Sequence, residues 1–112
     1  MSRSKQKGTS WESAIITYLN KFGFDCERRA LSGALDRGDI SGVRGVVIEA
    51  KNVRANELAS WVDEAEVERI NDDVPYGVVW HHRRGKASPG DGYVTMSGRM
   101  FIEFLKAGGW LD

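Results

Sequence analysis

The segment from Asp39 to Lys51 limits the possible folds of this chain more than any other. It contains an aspartate, a turn flanked by glycines at 42–45, and an apolar run at 46–48 that leads into an acid-x-lysine triplet. Because residues i and i+2 of a strand project from the same face, Glu49 and Lys51 are expected to lie side by side. The turn brings Asp39 across from or diagonal to Glu49. We therefore predict a hairpin that collects two carboxylates and an amine at the end of a core strand.

These three side chains are typical of metal-assisted chemistry. Converging carboxylates suit a hard divalent cation such as Mg²⁺, for which Mn²⁺ is expected to substitute, so Asp39 and Glu49 are the first ligand candidates. Lys51 is the candidate for orienting a water or neutralising charge on a phosphate. A nearby cation or desolvation is expected to lower its pKa. The competing interpretation is a surface hairpin in which Lys51 forms an ordinary ion pair with Glu49 or Asp39.

Length and composition exclude several classes of protein. The 112 residues predict one domain at 9–112, preceded by a flexible basic tail at 1–8. No apolar run is long enough for a membrane span, the first eight residues do not resemble a signal peptide, and no organic cofactor is predicted. The single Cys26 excludes an internal disulfide, indicates a reducing, cytoplasmic compartment, and is more typical of a small core residue than of a nucleophile.

The charges are segregated although their formal sum is zero. Residues 57–73 contain seven acidic residues and one basic residue, which leaves 15 basic against 9 acidic residues in the rest of the chain. Basic surfaces attract polyanions such as nucleic acids. The alternatives are an ordinary mixed-charge surface and a protein-interaction domain built on the acidic helix.

A set of mostly basic residues is predicted to contact DNA. Contacts to phosphates dominate nucleic-acid affinity without reading sequence, although any single basic residue is more often solubilising than essential. A serine is included because the Ser-Gly pair at 32–33 permits close approach of the backbone. The set comprises Arg3, Lys5, Lys7, Arg29, Ser32, Arg37, Arg83, Arg84 and Lys86.

Hydrophobic periodicity predicts an α/β fold with the element order αβββαββα. The helices are expected at 9–22, at about 55–71 and after Ser97. The strands are expected at 24–29, near Asp39, and at 46–51, 76–82 and 93–96. The early strands form an antiparallel meander, and the second helix crosses over to a strand that can lie parallel to the core strand. This arrangement is a mixed β-sheet flanked by helices.

Glu12 has two interpretations. It completes a capping box with Thr9 at the predicted start of the first helix, or it faces the end of the sheet and helps to hold a metal. The first turn of a helix favours an acidic residue in either case. We include Glu12 with Asp39 and Glu49 among the metal-binding candidates, and with these two and Lys51 among the catalytic candidates.

The chain resembles the PD-(D/E)xK nuclease superfamily over about residues 9–106, and within it most closely the small Holliday junction resolvases. Those enzymes place a glutamate early in the first helix, a Ser-Gly loop after the first strand, then an aspartate and Glu-x-Lys. The corresponding residues are Glu12, Ser32, Gly33, Asp39, Glu49, Ala50 and Lys51. Gly38 stands where the motif often has proline. For the polar residue, often glutamine, that many members carry on the next helix, the candidates are Glu64 and Glu68.

The resemblance implies a restriction-endonuclease-like fold, Mg²⁺-dependent hydrolysis of phosphodiester bonds in branched DNA, and a homodimer. A two-fold dimer also suits a small domain that must cut two strands symmetrically. Its interface is expected on the last helix and tail, including Phe101, Phe104 and Trp110, or around Trp61. Two alternatives stay open: the same chemistry on another substrate (repair, restriction or flap type), and a non-catalytic nucleic-acid-binding module.

Overall fold

The computed structural model describes residues 3–30 and 35–110, with the backbone alone at 3–5. The described residues form three helices and five strands, and their order is the predicted one. In chain order they are α1 (Arg3–Lys21), β1 (Glu27–Arg28), β2 (Ile40–Ser41), β3 (Val46–Lys51), α2 (Leu58–Asn71), β4 (Tyr76–His81), β5 (Tyr93–Thr95) and α3 (Gly98–Ala107). A 3-10 turn at Pro89–Asp91 lies between β4 and β5.

The five strands form one mixed sheet in the order β1-β2-β3-β4-β5. Each neighbouring pair is antiparallel except β3 and β4, which run parallel because α2 crosses over between them. In the register of the central pairs, Ile40 lies opposite Ile48, and Val46 lies opposite Tyr76. The predicted α/β class, the antiparallel meander and the parallel central pair are confirmed.

Side chains that alternate along the strands divide the core between the two faces of the sheet. On one face Trp11 and Ile15 of α1 pack with Ile48, Val78 and Cys26. Cys26 is buried, as expected for a small core residue. The other face carries a smaller cluster of α2 and β4, formed by Trp61, Ala65 and Val79. Because Glu49 and Lys51 alternate with Ile48, they lie on the face that α2 covers.

The first helix differs from its prediction at the amino end. It begins at Arg3 rather than Thr9, so residues 3–8, predicted as a tail, form its first turns. Serine, lysine and glutamine are compatible with a helix, and one interior glycine costs only about 1 kcal/mol. Thr9 is an interior residue whose carbonyl accepts a hydrogen bond from Arg28 Nη2 at 3.0 Å. The predicted capping box of Thr9 and Glu12 was therefore wrong.

The second helix packs closely on the parallel strands and therefore determines which side chains lie near the ends of these strands. It begins at Leu58, three residues later than predicted, and the side chain of Asn56 accepts a hydrogen bond from the Leu58 N–H at 3.0 Å. A Cβ atom on Gly77 would lie 2.4 Å from the carbonyl oxygen of Ala65, so only glycine permits this approach. The close approach holds the acidic residues of α2 near the end of β3.

The third helix has the predicted cap but an incompletely covered apolar face. The Ser97 hydroxyl accepts a hydrogen bond from the Met100 N–H at 3.1 Å. Met100 is buried, whereas Phe101 and Phe104 are about half exposed and Trp110, beyond the helix, is largely exposed. No helix formed by residues 3–30 and 35–110 has the length and apolar character needed to cross a bilayer.

Candidate active site

Asp39 is fixed against the end of β3 by two hydrogen bonds. Its backbone N–H donates to the Ile48 carbonyl at 3.1 Å, and its Oδ2 accepts from the Ala50 N–H at 2.9 Å. Continuing the register of Ile40 and Ile48 places Asp39 opposite Glu49. The hairpin therefore brings these two acidic residues to one end of the sheet, as predicted.

Glu49 is buried, with only 5% of its surface exposed. Its Oε1 lies 3.4 Å from Nζ of Lys51, which projects from the same face of β3. Its Oε2 has no hydrogen-bond partner among the described residues. A buried ionised oxygen without a partner is costly, so this atom favours either a proton or a cation as its neighbour.

Lys51 lies between β3 and α2 and pairs with an acid on each. Its Nζ is 2.9 Å from Oε2 of Glu64 and 3.4 Å from Oε1 of Glu49. Burial lowers the pKa of Lys51, but the two ion pairs outweigh it and hold this pKa above its ordinary value. The expectation of a lowered pKa was wrong for these contacts, since the carboxylates around the amine favour its charged form.

Glu68, one of the two candidates that the resemblance suggested on α2, is buried. It is 1% exposed and follows Trp61 and Ala65 on the buried face of the helix. Both of its carboxylate oxygens lack a hydrogen-bond partner among the described residues. Its neighbours include the carboxyl groups of Glu49 and Asp36, which can donate a hydrogen bond to it only while they are protonated. An acid at the i+7 position of an apolar stripe is the sequence signal that indicates it.

Asp36, in the loop between β1 and β2, is a further acidic residue close to Glu68. Its carbonyl accepts a hydrogen bond from Asn71 Nδ2 at 2.8 Å, which ties the loop to α2, and its Oδ1 accepts from the Gly38 N–H at 3.0 Å. Ligand atoms of Asp36, Glu64 and Glu68 all lie within 4.8 Å of one another. Sequence reasoning did not include Asp36 among the site residues, because a loop acid carries no periodicity.

Gly38 allows the backbone to turn toward this cluster of acidic residues. Its φ of +92° is accessible to glycine, and a Cβ atom there would lie 2.6 Å from Cγ1 of Val47. Proline, which the motif of the superfamily that the sequence resembles often has at this position, has φ fixed near −65° and cannot adopt this conformation. This chain therefore enters the site through a different turn from the one that a proline would form.

Glu12 lies at the margin of the cluster. Its Oε2 forms an ion pair with Nε of Arg28 at 2.9 Å, and Arg28 also donates to Ser13 Oγ at 2.9 Å. The charge of Glu12 still contributes to raising the pKa of Asp39. The structure thus brings Asp39, Glu49 and Lys51 together, with Glu12 held beside them on α1 by an arginine.

Burial and mutual repulsion shift the ionisation of the central acids upward. Burial is the largest cause that raises the pKa of Asp39 to about 6, with the charges of Glu12 and Asp36 adding to it. Burial likewise raises the pKa of Glu68 to about 7 and holds that of Glu49 far above its ordinary value. Burial therefore favours the protonated forms of these carboxyl groups.

The raised pKa values of Asp39 and Glu68 predict a stability that depends on pH. A group with a raised folded-state pKa stabilises the fold below its unfolded pKa, and this contribution is lost as pH rises through the folded value. In EDTA the melting temperature should therefore fall by several degrees between pH 5 and pH 8, as Asp39 and Glu68 ionise. Excess Mg²⁺ should restore much of the loss at pH 8 and change little at pH 5. A thermal melt that is flat across this range, with or without Mg²⁺, would contradict the burial of these acids.

A basic groove opens at the carboxyl ends of β3 and β4, and Lys51 lies on its wall. The groove has a volume of about 900 Å³, and the described residues that line it include no acidic side chain. Its polar and aromatic lining residues are Lys7, Lys51, Asn52, Arg54, Asn56, Trp61, His81, His82, Arg83, Arg84 and Tyr93. Ligands of parallel sheets commonly bind beyond the carboxyl ends of the strands.

The predicted DNA-binding residues divide between this groove and other places. Lys7, Arg83 and Arg84 line the groove, and Arg37 and Lys86 are exposed elsewhere. Arg29 instead pairs with Asp72 at 3.3 Å. The side chains of Arg3 and Lys5, and all of Ser32, lie outside the described residues. Sequence reasoning did not include Arg54, in the loop after β3, or Tyr93, at the start of β5, which also line the groove.

Comparisons of the chain with protein-family models, with curated proteins and with solved structures found no match. The geometry of the acid cluster and of the groove therefore carries the functional assignment.

Proposed function

We propose that this protein is a divalent-metal-dependent endonuclease of the PD-(D/E)xK type, with a restriction-endonuclease-like topology, that hydrolyses phosphodiester bonds in branched DNA. The observation that carries the proposal is the position of Lys51. This residue contacts the buried Glu49 and also lines the basic groove. A candidate site for cations and a surface for polyanions therefore meet at one side chain, which is an arrangement that suits metal-assisted cleavage of a phosphodiester.

The donor set fits a hard divalent cation. Asp39 and Glu49 offer only oxygen atoms, and Oε2 of Glu49 is buried without a partner among the described residues. Mg²⁺ and Mn²⁺ suit such carboxylates and keep several waters in their shell. Asp39 and Glu49 would hold the ion, whereas Glu12 would have to open its pair with Arg28 to join them. When bound, the ion would supply Lewis-acid stabilisation of the charge that develops on the phosphate.

Lys51 has the position of a group that handles water or phosphate. Its side chain is partly exposed where it lines the groove, while the carboxylates of Glu49 and Glu64 hold its amine. An ammonium can donate three hydrogen bonds, so two ion pairs leave one for an attacking water or a phosphate oxygen. Its charge also favours the negative transition state of phosphodiester hydrolysis.

The groove supports DNA as the substrate. Its lysines, arginines and histidines come from α1, from the end of β3 with the loop after it, and from the end of β4 with the loop after it, so one phosphate backbone can contact all three segments. Such contacts supply sequence-independent affinity that falls steeply as salt rises. We expect the protein to bind DNA through this groove in a reducing cytoplasmic compartment.

A homodimer is part of the proposal, because one small domain with one site cuts two strands most simply as a symmetric pair. The exposed apolar residues of α3 are the surface that supports it. Phe101 and Phe104 stack with their ring centroids 6.3 Å apart, and Phe101, Ile102 and Trp110 are all exposed. Contiguous exposed apolar residues of this kind are typical of interaction sites.

A cleavage panel tests the proposed function. A four-way junction, a flap, a linear duplex and a single strand of equal length would be incubated with the protein in Mg²⁺ or in EDTA. We expect Mg²⁺-dependent cutting that favours the junction, no cutting in EDTA, recovery with Mn²⁺, and a dimer in sedimentation experiments.

Each alternative outcome would reject one part of the proposed function. A monomer that cuts linear duplex or single strands as fast as the junction would reject the resolvase assignment and leave the broader nuclease. Cutting of the flap alone would move the substrate to the flap class. Binding of all four DNAs without cutting in either Mg²⁺ or Mn²⁺ would show a non-catalytic binding module.

A further inference from the structure

We propose that Asp36, Glu64 and Glu68 bind a second divalent cation, beside the one assigned to Asp39 and Glu49. Ligand atoms of the three acids lie within 4.8 Å of one another. Oxygen ligands bind Mg²⁺ and Ca²⁺ at about 2.0–2.6 Å, so oxygens on opposite sides of one ion are about 4–5 Å apart. The cluster therefore has the dimensions of a coordination shell. The catalytic role of this site depends on the proposed function, but cation binding by the chain alone does not.

The burial of Glu68 distinguishes this site from an ordinary acidic surface. Exposed acids repel one another weakly in water, but Glu68 is 1% exposed and neither of its oxygens has a partner among the described residues. Asp36 and Glu64 direct a ligand atom toward it from the loop and from the preceding turn of α2. A buried carboxylate aimed at two others is costly to ionise unless a cation lies between them.

The charge balance favours two ions rather than one. Five carboxyl groups belong to the cluster: Asp36, Asp39, Glu49, Glu64 and Glu68. Among the described residues, Lys51 is the cationic side chain that forms ion pairs within it. Lys51 and one divalent ion at Asp39 and Glu49 would balance three of the five charges. A second divalent ion would balance the remaining two, which its proposed ligands carry.

The two sites share a boundary but not their ligands. Asp39 is held toward β3 by the Ala50 N–H, whereas Asp36 is tied to α2 through Asn71. Glu68 neighbours Glu49, so the two proposed sites are adjacent. Because no ligand is assigned to both sites, each ion should be removed by its own substitution.

The test counts Mn²⁺ bound to the full chain without DNA, by calorimetric titration and by electron paramagnetic resonance of free Mn²⁺. The wild type should bind two Mn²⁺ per chain. Glu68→Gln, which keeps the shape of the side chain, and Asp36→Asn, in the exposed loop, should each bind one. Asp39→Asn should also bind one, and the double variant Asp39→Asn with Glu68→Gln should bind none. Glu57→Gln, an exposed glutamate at the start of α2, is the matched control and should bind two.

One Mn²⁺ per chain in the wild type, with no change in Glu68→Gln and Asp36→Asn, would overturn the second site. Two Mn²⁺ retained in both variants would also overturn it, because other ligands would then hold the ion. If Glu68→Gln fails to fold, Asp36→Asn still decides the result. A wild type that binds one Mn²⁺ and cuts DNA rejects this inference alone, whereas one that binds two and cuts no DNA rejects the nuclease and keeps the site.

Discussion

Replacing Asp39 by asparagine is expected to abolish DNA cleavage while the protein stays folded and binds DNA. Asparagine retains an oxygen that can accept the hydrogen bond from the Ala50 N–H, so the hairpin keeps its geometry. The substitution removes one of the two charges proposed to hold the cation, and we expect a loss on the order of 1000-fold in rate, similar to the loss of an oxyanion-hole donor. The measurement is single-turnover cleavage of a four-way junction at saturating protein in Mg²⁺.

The control for this variant is Asp63→Asn, which removes the same charge from an exposed position on α2. Asp63→Asn should cut at the wild-type rate, and both variants should bind the junction with affinity close to that of the wild type. Cleavage by Asp39→Asn within a few fold of the wild type would show that Asp39 holds no catalytic cation. The metal site would then have to be sought among the acids of α2.

The hairpin of the site could be predicted from sequence because its signals are local. The apolar run before Glu49 fixes β3, the period of two places Glu49 beside Lys51, and the turn returns Asp39 to the same end. The second helix was likewise predicted and is confirmed, and its buried residues Trp61 and Ala65 follow the helical period. Patterns that lie within one element, or that a tight turn joins, are set by short-range geometry.

The remainder of the site depends on contacts that no local pattern records. Glu68 reaches the cluster because Gly77 lets α2 approach β4, and Asp36 reaches it because Asn71 holds the loop. The first helix starts early because nothing in residues 3–8 stops it, a boundary that propensity alone resolves poorly. An acid on an apolar stripe conflicts with the local pattern, and such conflicts are expected at functional sites.

Among the predicted site residues, Glu12 is the one whose role the sequence determines least. On sequence alone it fitted both a helix cap and a metal site. The longer α1 removes the cap, and Arg28 of β1 now compensates its charge at 2.9 Å. Oε2 of Glu12 already pairs with Arg28, whereas Oε2 of Glu49 is buried and has no partner among the described residues, so Glu49 has the greater need of a cation. We therefore expect Asp39 and Glu49, rather than Glu12, to determine metal affinity at the first site.

Replacing Lys51 by alanine should slow cleavage by about 100-fold or more, the range observed when a group that positions or transfers a proton is lost. The affinity for the junction should fall little, because the other basic side chains of the groove remain. Stability should also fall little at pH 6, where the raised pKa values of Glu49 and Glu68 let them keep protons once the amine is gone. The measurements are the single-turnover rate at saturating protein in Mg²⁺ and the melting temperature at pH 6.

Arg54→Ala is the matched control for Lys51→Ala, since Arg54 lines the same groove and is exposed. If the groove binds phosphate, Arg54→Ala should weaken binding and reduce its salt dependence, yet leave the single-turnover rate at saturation unchanged. The two variants then separate binding from chemistry, because one changes the affinity and the other the rate. If Lys51→Ala instead melts far below the wild type and keeps the wild-type rate, the amine serves only to neutralise Glu49 and Glu64, and catalysis must be assigned to the carboxylates alone.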